Sequence, residues 1–296
     1  MLSCADLTSA QRFYTGELGF QIDVIFPADA PRQVKLSGYG ICVRLERESD
    51  SVGVGTEEWG TGRAGMQYRD LIPDRLGGRC IASHIRIPVG GPVPDYVHHH
   101  DVEFQLIYCY RGWVKVVYED QGPEFVMRPG DCVLQPPHIR HRVLECSDHM
   151  EVVEVSSPAE HETFVDHQMN LPTTHVDRQR DFGGQRFVRH ELSKATWSSG
   201  PYEGYERRDT GIADATKNLA SVQVVRPVAK GQSTVIRCDA GIVFSFVLQG
   251  KATLHKDNQV REILVAGDSF VILPDTPATI TENSSDLEFL QVVLMC

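Results

Sequence analysis

An internal repeat organises most of the chain. Short segments recur in the same order with an offset near 138 residues, and apolar and polar residues alternate between them in both copies. The matching pairs are Gly65–Asp70 with Gly204–Asp209, Ile81–Ser83 with Leu219–Ser221, Arg111–Gly112 with Gln249–Gly250, Pro129–Asp131 with Ala266–Asp268, and Val152–Val155 with Leu290–Val293. Alternating runs separated by turn residues are typical of antiparallel β-barrels. The repeat therefore predicts two β-barrels in tandem.

The first copy contains a closely spaced histidine pair. In an extended strand alternate side chains share a face, so His98 and His100 point together while His99 points away. Two imidazoles on one face, one residue apart, form half of a metal site. Gln105 lies an odd number of residues after His100, so a turn near residues 101–103 is needed to bring its side chain to the same face.

A second stretch offers the remaining ligand. Residues 128–141 read as a turn, a short apolar strand, a second turn and then His141. A histidine that follows a tight turn on a neighbouring strand can complete a site begun by the pair on the first strand.

These two stretches resemble the paired motifs of the cupin superfamily, G-x5-H-x-H-x(3,4)-E-x6-G and G-x5-P-x-G-x2-H-x3-N. The positions that keep the spacing of the motifs are His98, His100, Gly112, Gly130, Pro136 and His141. The departures are Gly91, one residue early, Gln105 for the usual glutamate, His138 for the second glycine, and Glu145 for the asparagine. The resemblance implies a small barrel that binds one divalent metal through His98, His100 and His141, with Gln105 completing or tuning the site. Glu103 is a rival for the fourth position, with the right charge but the wrong spacing to Gly112.

The second copy lacks these ligands. When the repeated glycines are aligned, the positions of His98, His100, Gln105 and His141 are taken by Ile236, Cys238, Val243 and Ala278. We therefore expect a mainly β chain, a bicupin with its metal site in the N-terminal barrel only, and a second barrel that is structural or encloses an organic ligand.

Residues 1–46 form a separate pattern. A helix with an N-cap candidate at Thr8 and a terminating glycine at Gly19 precedes strand-like runs at 21–26, 33–36 and 40–46. The segment resembles one partial βαβββ module of the glyoxalase/vicinal-oxygen-chelate superfamily. Its short first strand has no histidine, so we expect it to serve packing or dimerisation.

The predicted domain boundaries follow from these patterns. Residues 156–203 contain scattered histidines without ligand spacing and few strand signals, which predicts a surface connector. The predicted segments are the glyoxalase-like module 1–46, a glycine-rich linker 47–63, the metal-binding barrel 64–155, the connector 156–203 and the degenerate barrel 204–296.

Charge and cysteine usage restrict the partners and the compartment. The formal charge of −11 argues against nucleic acid and anionic membrane surfaces. No apolar run approaches the roughly 20 residues that span a bilayer, and the N-terminus shows no secretion signal. The eight cysteines have no paired spacing, which predicts a cytoplasmic protein. Exposed barrel edges favour a homodimer.

The donor set indicates the chemistry of the metal. Three neutral imidazoles and an amide leave the full charge on a divalent ion, which makes it a stronger Lewis acid than a glutamate-bound one. Such an ion favours an anionic chelating substrate. Imidazole-rich sites suit Fe(II), which we favour, while Zn, Ni, Mn or Cu also fit.

Three further residues are candidates for catalysis. His84 and Arg86 alternate onto one face of a predicted strand; if that face is interior, Arg86 could pair with a substrate carboxylate and His84 could act as a general base. If it is exterior, they are surface residues. His138, three residues before His141, is a candidate for the rim of the site.

Three functions remain open. The first is an Fe(II) dioxygenase acting on a small enolisable, diketone-like or phenolic acid, an activity found among three-histidine cupins. The second is a non-oxidative metal-dependent isomerase or lyase, which would turn over without oxygen. The third is a bicupin that binds a small molecule without turnover. Fold alone does not choose among them.

Overall fold

The computed structural model describes residues 1–48, 59–72, 74–239, 241–256 and 260–295. The chain divides into two compact units, Met1–Gly183 and Gly184–Cys296. The boundary between the units lies inside the predicted connector. Most of the predicted linker, residues 49–58, lies outside the described residues.

An α+β module begins the first unit. Its elements are β1 (Leu2–Cys4), α1 (Leu7–Arg12) continued by a π-helical turn (Phe13–Glu17), β2 (Gln21–Phe26), β3 (Gln33–Gly38) and β4 (Ile41–Arg47). The strand order is β1-β4-β3-β2, with β1 parallel to β4 and the other neighbours antiparallel. The N-cap is Asp6 rather than the expected Thr8, because the Asp6 carboxylate accepts a hydrogen bond from the Ser9 backbone N–H at 3.0 Å. Burial of Leu7 against Val34 and Leu45 packs the helix on the sheet.

The first barrel follows this module. It begins with β5 (Gly60–Thr61) and a short helical turn (Arg63–Gly65). The elements that follow are β6 (Gln67–Asp70), α2 (Arg75–Gly78), β7 (Ile81–Ile87), β8 (Gly91–Pro92), β9 (His98–His100), β10 (Phe104–Arg111), β11 (Val114–Tyr118), β12 (Phe125–Met127), β13 (Cys132–Leu134), β14 (His141–Cys146) and β15 (Met150–Ser157). One antiparallel sheet has the order β13-β10-β15-β7-β6-β5. The other contains β9-β14-β11-β12, with β8 also paired to β14. Side chains from both sheets meet between them.

The segment after the first barrel is more than a surface connector. It contributes β16 (Thr163–Val165) and β17 (Asp181–Phe182). Strand β16 pairs with β9 on one side and with β2 on the other, so the sheet runs β1-β4-β3-β2-β16-β9-β14-β11-β12. The N-terminal module is therefore joined edge to edge to the strand that carries the histidine pair. Sequence reasoning missed β16 because it is only three residues long and follows no alternating run.

The second unit contains the second barrel. Its elements are β18 (Gln185–Arg186), β19 (Val188–His190), a short turn (Leu192–Lys194), β20 (Ser198–Ser199), β21 (Tyr205–Asp209), α3 (Ile212–Ala215), β22 (Ala220–Pro227), β23 (Thr234–Ile236), β24 (Ile242–Gln249), β25 (Lys251–Lys256), β26 (Val260–Val265), β27 (Ser269–Ile272), β28 (Ala278–Thr281) and β29 (Glu288–Leu294). Its sheets have the orders β20-β21-β22-β29-β24-β27 and β23-β28-β25-β26. The order β21-β22-β29-β24 matches β6-β7-β15-β10 of the first barrel. The internal repeat thus corresponds to repeated strand pairing.

The repeated glycines occupy equivalent turns. Gly112 and Gly250 have φ of +67° and +75°, and each follows the long central strand of its barrel. Residues with a Cβ rarely adopt this left-handed conformation, so the turn explains why glycine recurs with the 138-residue offset.

Two structural absences concern the whole described chain. Within residues 1–48, 59–72, 74–239, 241–256 and 260–295, none of the helices has the length and apolar character needed to cross a membrane. In the same ranges no two cysteines form a disulfide.

Candidate metal centre

Three buried imidazoles converge in the first barrel. His98 and His100 come from β9 and His141 from the first position of β14, where it pairs in register with His98. The three side chains are 0%, 6% and 5% exposed, and their candidate ligand atoms all lie within 4.8 Å of one another. The expected alternation is observed, because the ring of His99 lies on the other face, stacked on Phe164.

Hydrogen bonds hold the three rings in one orientation. Nδ1–H of His98 donates to the Tyr96 carbonyl at 2.8 Å, and Nδ1–H of His141 donates to the Ile139 carbonyl at 3.0 Å. A carbonyl only accepts, so the proton must sit on Nδ1 and the lone pair on Nε2. Nδ1 of His100 lies 3.0 Å from the Thr163 hydroxyl, which can accept in the same way. Metal-binding histidines typically have a hydrogen-bond partner on one ring nitrogen, which leaves the lone pair of the other nitrogen, here Nε2, to coordinate the metal.

A buried carboxylate supports the first ring. Asp95 lies with its Oδ1 3.6 Å from Nδ1 of His98, and its Oδ2 accepts a hydrogen bond from the Val143 backbone N–H. The carboxylate ties β14 to the loop before β9, next to the His98 ring.

Gln105 reaches the site through a network of side chains. The Tyr118 hydroxyl donates to Oε1 of Gln135 at 2.8 Å, and Nε2 of Gln135 donates to Oε1 of Gln105 at 2.9 Å. Nε2 of Gln135 also lies 3.1 Å from Nε2 of His141, and Nε2 of Gln105 donates to Oε1 of Glu154 at 3.0 Å. The turn between β9 and β10, at residues 101–103, directs the Gln105 side chain towards the interior, as expected. Its amide oxygen, however, faces Gln135, so Gln105 stands beside the imidazoles rather than among them.

The rival fourth ligand is outside this network. Glu103 lies in the turn between β9 and β10 and is exposed to solvent, whereas Gln105 is 1% exposed. The two-residue difference in spacing to Gly112 therefore separates a surface carboxylate, Glu103, from an interior amide, Gln105.

A cavity of about 80 Å³ lies beside the imidazoles, between the two sheets of the first barrel. Its wall is largely aliphatic, with valine, isoleucine and methionine side chains from both sheets. The polar side chains in the wall are those of Asp29, Tyr68, Ser83, His100, Gln105, Tyr118, Gln135, His141, Glu154 and His161. Among the described residues of the wall there is no lysine or arginine.

Sequence reasoning missed several of these wall residues. Tyr118 and Glu154 stand on the same strand faces as Val116 and Val152, so each is a polar side chain in the apolar half of an alternating run. A polar residue at an apolar position of the alternating pattern is thus a sequence signal by which Tyr118 and Glu154 could have been identified. Gln135 and His161 lie in turns, where no periodicity indicates direction.

His84 and Arg86, for which the sequence left both the interior and the exterior face open, are not part of the cavity wall. Ile81, Ser83 and Ile85 of β7 face the cavity, and His84 and Arg86 lie on the opposite face. Nη2 of Arg69 lies 3.1 Å from Nδ1 of His84 and can only donate, so Nε2–H of His84 donates to Glu151 at 2.7 Å. Burial lowers the pKa of His84 to about 4, which is consistent with the neutral ring.

Arg86 belongs to a structural feature that both barrels share. Its guanidinium stacks on Trp59 at 3.8 Å, and its Nε donates to Gln67 at 2.7 Å. In the second barrel Arg226 stacks on Trp197 at the same 3.8 Å. The feature recurs in a barrel without the histidines, so it serves the fold rather than the chemistry.

His138 occupies the outside of the turn before β14. It has φ of +60°, its side chain is 52% exposed, and its Nε2 lies 3.6 Å from Asp101. It does not line the cavity, so a catalytic role for His138 is not supported by its position.

The N-terminal module and the connector both contribute to the cavity. Pro27, Ala28 and Asp29, which follow β2, form part of the wall, and Arg75 donates to Asp29 at 2.6 Å. From the connector comes His161, whose ring lies 5.4 Å from that of His100. The role of the N-terminal module is thus wider than the packing or dimerisation expected from its sequence.

The second barrel has no equivalent site in its described residues. Ile236, Val243 and Ala278, which replace three of the ligands, are buried in a continuous apolar core, and Cys238 packs against it. Aliphatic side chains therefore fill the space that the imidazoles border in the first barrel.

Comparison with known proteins agrees with this architecture. Residues 83–156 match the cupin domain family. No curated protein is significantly similar in sequence. The fold is similar to that of a salicylate 1,2-dioxygenase from Pseudaminobacter salicylatoxidans (15% identity over 76% of this chain and 75% of that chain, TM-score 0.58). It is also similar to oxalate decarboxylase from Bacillus subtilis (12%, 78% and 72%, TM-score 0.55) and to protein YlbA from E. coli (11%, 90% and 91%, TM-score 0.55).

At such identities the similarity concerns the fold alone. The predicted fold class, a mainly β chain with two tandem cupin barrels and a small α+β module, is confirmed.

Proposed function

We propose that the chain is a metal-dependent enzyme, an Fe(II) dioxygenase acting on a small enolisable acid. The observation that carries the proposal is the convergence of three buried imidazoles beside a largely apolar cavity, whose wall includes two of them, His100 and His141. Such a site combines a cation-binding end with a largely apolar space for a small molecule.

The residues fit a divalent transition metal. His98, His100 and His141 offer three neutral nitrogen donors, and Gln105 and Gln135 add neutral amides next to them. Imidazole donors suit iron and its neighbours in the first transition row. When bound, the metal would supply a Lewis acid for a substrate oxygen and would mediate electron transfer from the substrate, which is oxidised, to dioxygen.

The chain itself provides positioning and a fixed proton donor. Burial raises the pKa of the Tyr118 phenol, so its hydroxyl stays protonated and keeps donating to Gln135. The ring of Tyr118 also stacks beside that of His141 at 5.5 Å. The network from Tyr118 to Glu154 therefore holds both amides in one orientation while a substrate binds.

The size of the cavity favours the smaller of the expected substrates. About 80 Å³ corresponds to several water-sized positions of about 10–15 Å³ each. A diketone-like or other enolisable acid of a few heavy atoms fits this space more readily than a phenolic acid. Since no arginine or lysine lines the described wall, the anionic end of the substrate belongs at the metal.

Oxygen uptake tests this proposal. Protein purified without added metal is analysed for bound metal, then loaded anaerobically with Fe(II) and mixed with oxygen and small diketones, oxo acids or hydroxy-aromatic acids. We expect oxygen consumption that matches substrate loss. His98→Ala and His141→Ala should abolish both metal binding and uptake, while His99→Gln, on the other face of β9, is the matched control. An iron-loaded protein that consumes no oxygen with any of these acids would contradict the oxidative proposal.

A non-oxidative isomerase or lyase is the second candidate. The cavity contains a protonated phenol, Tyr118, and a carboxylate, Glu154, within one network, which are the groups needed for proton transfer without dioxygen. The similarity in fold to an oxalate decarboxylase supports the same alternative. This candidate predicts full turnover under nitrogen with Zn or Mn in place of iron.

A further inference from the structure

Glu154 places a carboxylate in the cavity away from the imidazoles. It lies on β15, on the same face as Met150 and Val152, which also line the cavity. In the hydrogen-bond network two amide side chains separate it from His141, since Gln105 donates to Glu154 at 3.0 Å and Gln135 links Gln105 to His141. Glu154 is therefore placed to contact a substrate rather than the metal.

One oxygen of Glu154 is satisfied by the protein and the other faces no donor. Oε1 accepts hydrogen bonds from Gln105 Nε2 and from the Ser156 hydroxyl at 2.9 Å. Within the described part of the chain, no group donates to Oε2 and no cation pairs with the carboxylate. Asp29, the other acidic residue of the wall, is instead neutralised by Arg75 at 2.6 Å. Glu154 is half-buried, and a half-buried carboxylate without a paired cation is stabilised by a donor that a ligand brings to it.

The same contact explains the glutamine at position 105. A carboxylate only accepts hydrogen bonds, so the amide nitrogen of Gln105 must face Glu154. A glutamate at position 105 would bring two carboxylates to about the same 3.0 Å separation. The acidic group of this cavity thus stands on β15 rather than on β10.

We propose that Glu154 determines specificity by accepting a hydrogen bond from an N–H or O–H group at the end of the substrate that lies away from the imidazoles. The inference rests on the proposed function, because the oxygen-bearing end of the substrate is taken to bind at the metal. The substrate class is then a small acid with an amide, amino or hydroxyl donor, not an acid with a purely apolar tail.

Pairs of acids that differ in a single group test the proposal. The protein is loaded with Co(II), whose absorption reports the metal, and binding is measured by calorimetry. The probes are oxamate against pyruvate and succinamate against 4-oxopentanoate, pairs in which an NH₂ replaces a CH₃ of similar size. We expect the amide member of at least one pair to bind roughly tenfold more tightly, the range of a hydrogen bond to a charged group.

Variants assign that preference to one carboxylate. Glu154→Gln should reduce the preference at least about fivefold, Glu154→Met should remove it, and both should bind Co(II) within about threefold of the unaltered protein. Glu151→Gln is the matched control, because Glu151 lies on the same strand but on the outer face, bound to His84. It should keep both the preference and the metal.

Each outcome has a distinct meaning. Equal binding of both members of both pairs by the unaltered protein would overturn the inference and leave the metal centre intact. Loss of Co(II) in both Glu154 variants would overturn it by making Glu154 a ligand. A preference that depends on Glu154, together with no oxygen uptake, would support the inference and contradict the oxidative function. A protein that binds no metal would contradict both.

Discussion

Hydrogen bonds at single ring nitrogens prepare the imidazoles for a metal. His98 and His141 rely on backbone carbonyls, which no substitution removes, whereas His100 relies on the hydroxyl of Thr163. Thr163 belongs to the connector, far from the histidines in sequence. The ring of one candidate ligand is thus held by a residue that neither histidine motif contains.

Thr163→Val should weaken metal binding by about 10- to 100-fold, because it removes the acceptor on His100 Nδ1 while keeping the size of the side chain. Thr163→Ser, which retains the hydroxyl, should bind metal within about threefold of the unaltered protein. Competition with a chromophoric chelator measures both affinities. Equal affinities for the two variants would contradict the role given to the hydroxyl.

Gln105→Glu should make the stability of the metal-free protein depend on pH. Two carboxylates at about 3 Å share one proton, so the folded-state pKa of one rises above its unfolded value. A raised carboxyl pKa favours folding at low pH, and that contribution is lost as the pH rises through the folded-state pKa. The variant should therefore melt well below the unaltered protein at pH 8 and approach it near pH 5.

The double variant Gln105→Glu/Glu154→Gln is the control for this experiment. It reverses the amide and the carboxylate, so one donor–acceptor pair is retained. Its melting temperature should recover most of the loss at pH 8. A double variant as unstable as Gln105→Glu would show that the two side chains do not interact.

At the scale of single elements, each barrel strand has an inner and an outer face with different tasks. On β7, Ile81, Ser83 and Ile85 line the cavity, while His84 and Arg86 join a network of arginine, tryptophan and glutamate side chains outside. The equivalent stack of Arg226 on Trp197 shows that this outer feature belongs to the barrel itself. Charged residues on a barrel strand are therefore no guide to the active site until the inner face is known.

The outer face of β7 should give the protein an acid-sensitive element. Burial holds the pKa of His84 at about 4 in the folded state, below the usual histidine pKa of 6.5. Because the pKa of His84 is lower in the folded state than in the unfolded state, protonation of this ring favours unfolding. The contribution of neutral His84 to the free energy of unfolding is therefore complete above about pH 6.5 and is lost as the pH falls towards 4. His84→Gln should show a shallower loss of the free energy of unfolding over this range, measured by urea denaturation. Identical slopes for the two proteins would contradict the neutral state of His84.

For the molecule as a whole, the metal cavity is assembled from three separated parts of the first unit. The barrel supplies the imidazoles and most of the wall, the N-terminal module supplies residues 27–29, and the connector supplies His161 and Thr163. The second barrel repeats the strand pairing with an apolar core. The two repeats therefore share their strand pairing and differ in their interiors, one with three imidazoles beside a cavity and the other with an apolar core.

Metal removal should therefore destabilise one unit. We expect one bound metal per chain and a lower melting temperature after chelation, with about 2.7 kcal/mol of stabilisation when free metal is 100 times its Kd. Scanning calorimetry with and without chelator measures the change. His141→Ala should melt at the same temperature under both conditions, and a second metal bound per chain would contradict the assignment of the second barrel.

Local pattern determined the repeat, the two barrels, the pairing of His98 with His100 and the loss of ligands in the second copy. These properties depend on alternation and on spacing along the chain, which the sequence displays directly. The tertiary structure decided which face of β7 points inward, where the Gln105 amide turns, and that Glu154, His161 and residues 27–29 share one cavity. Alternation separates two faces of a strand without saying which is interior, because that depends on strands paired from distant parts of the chain.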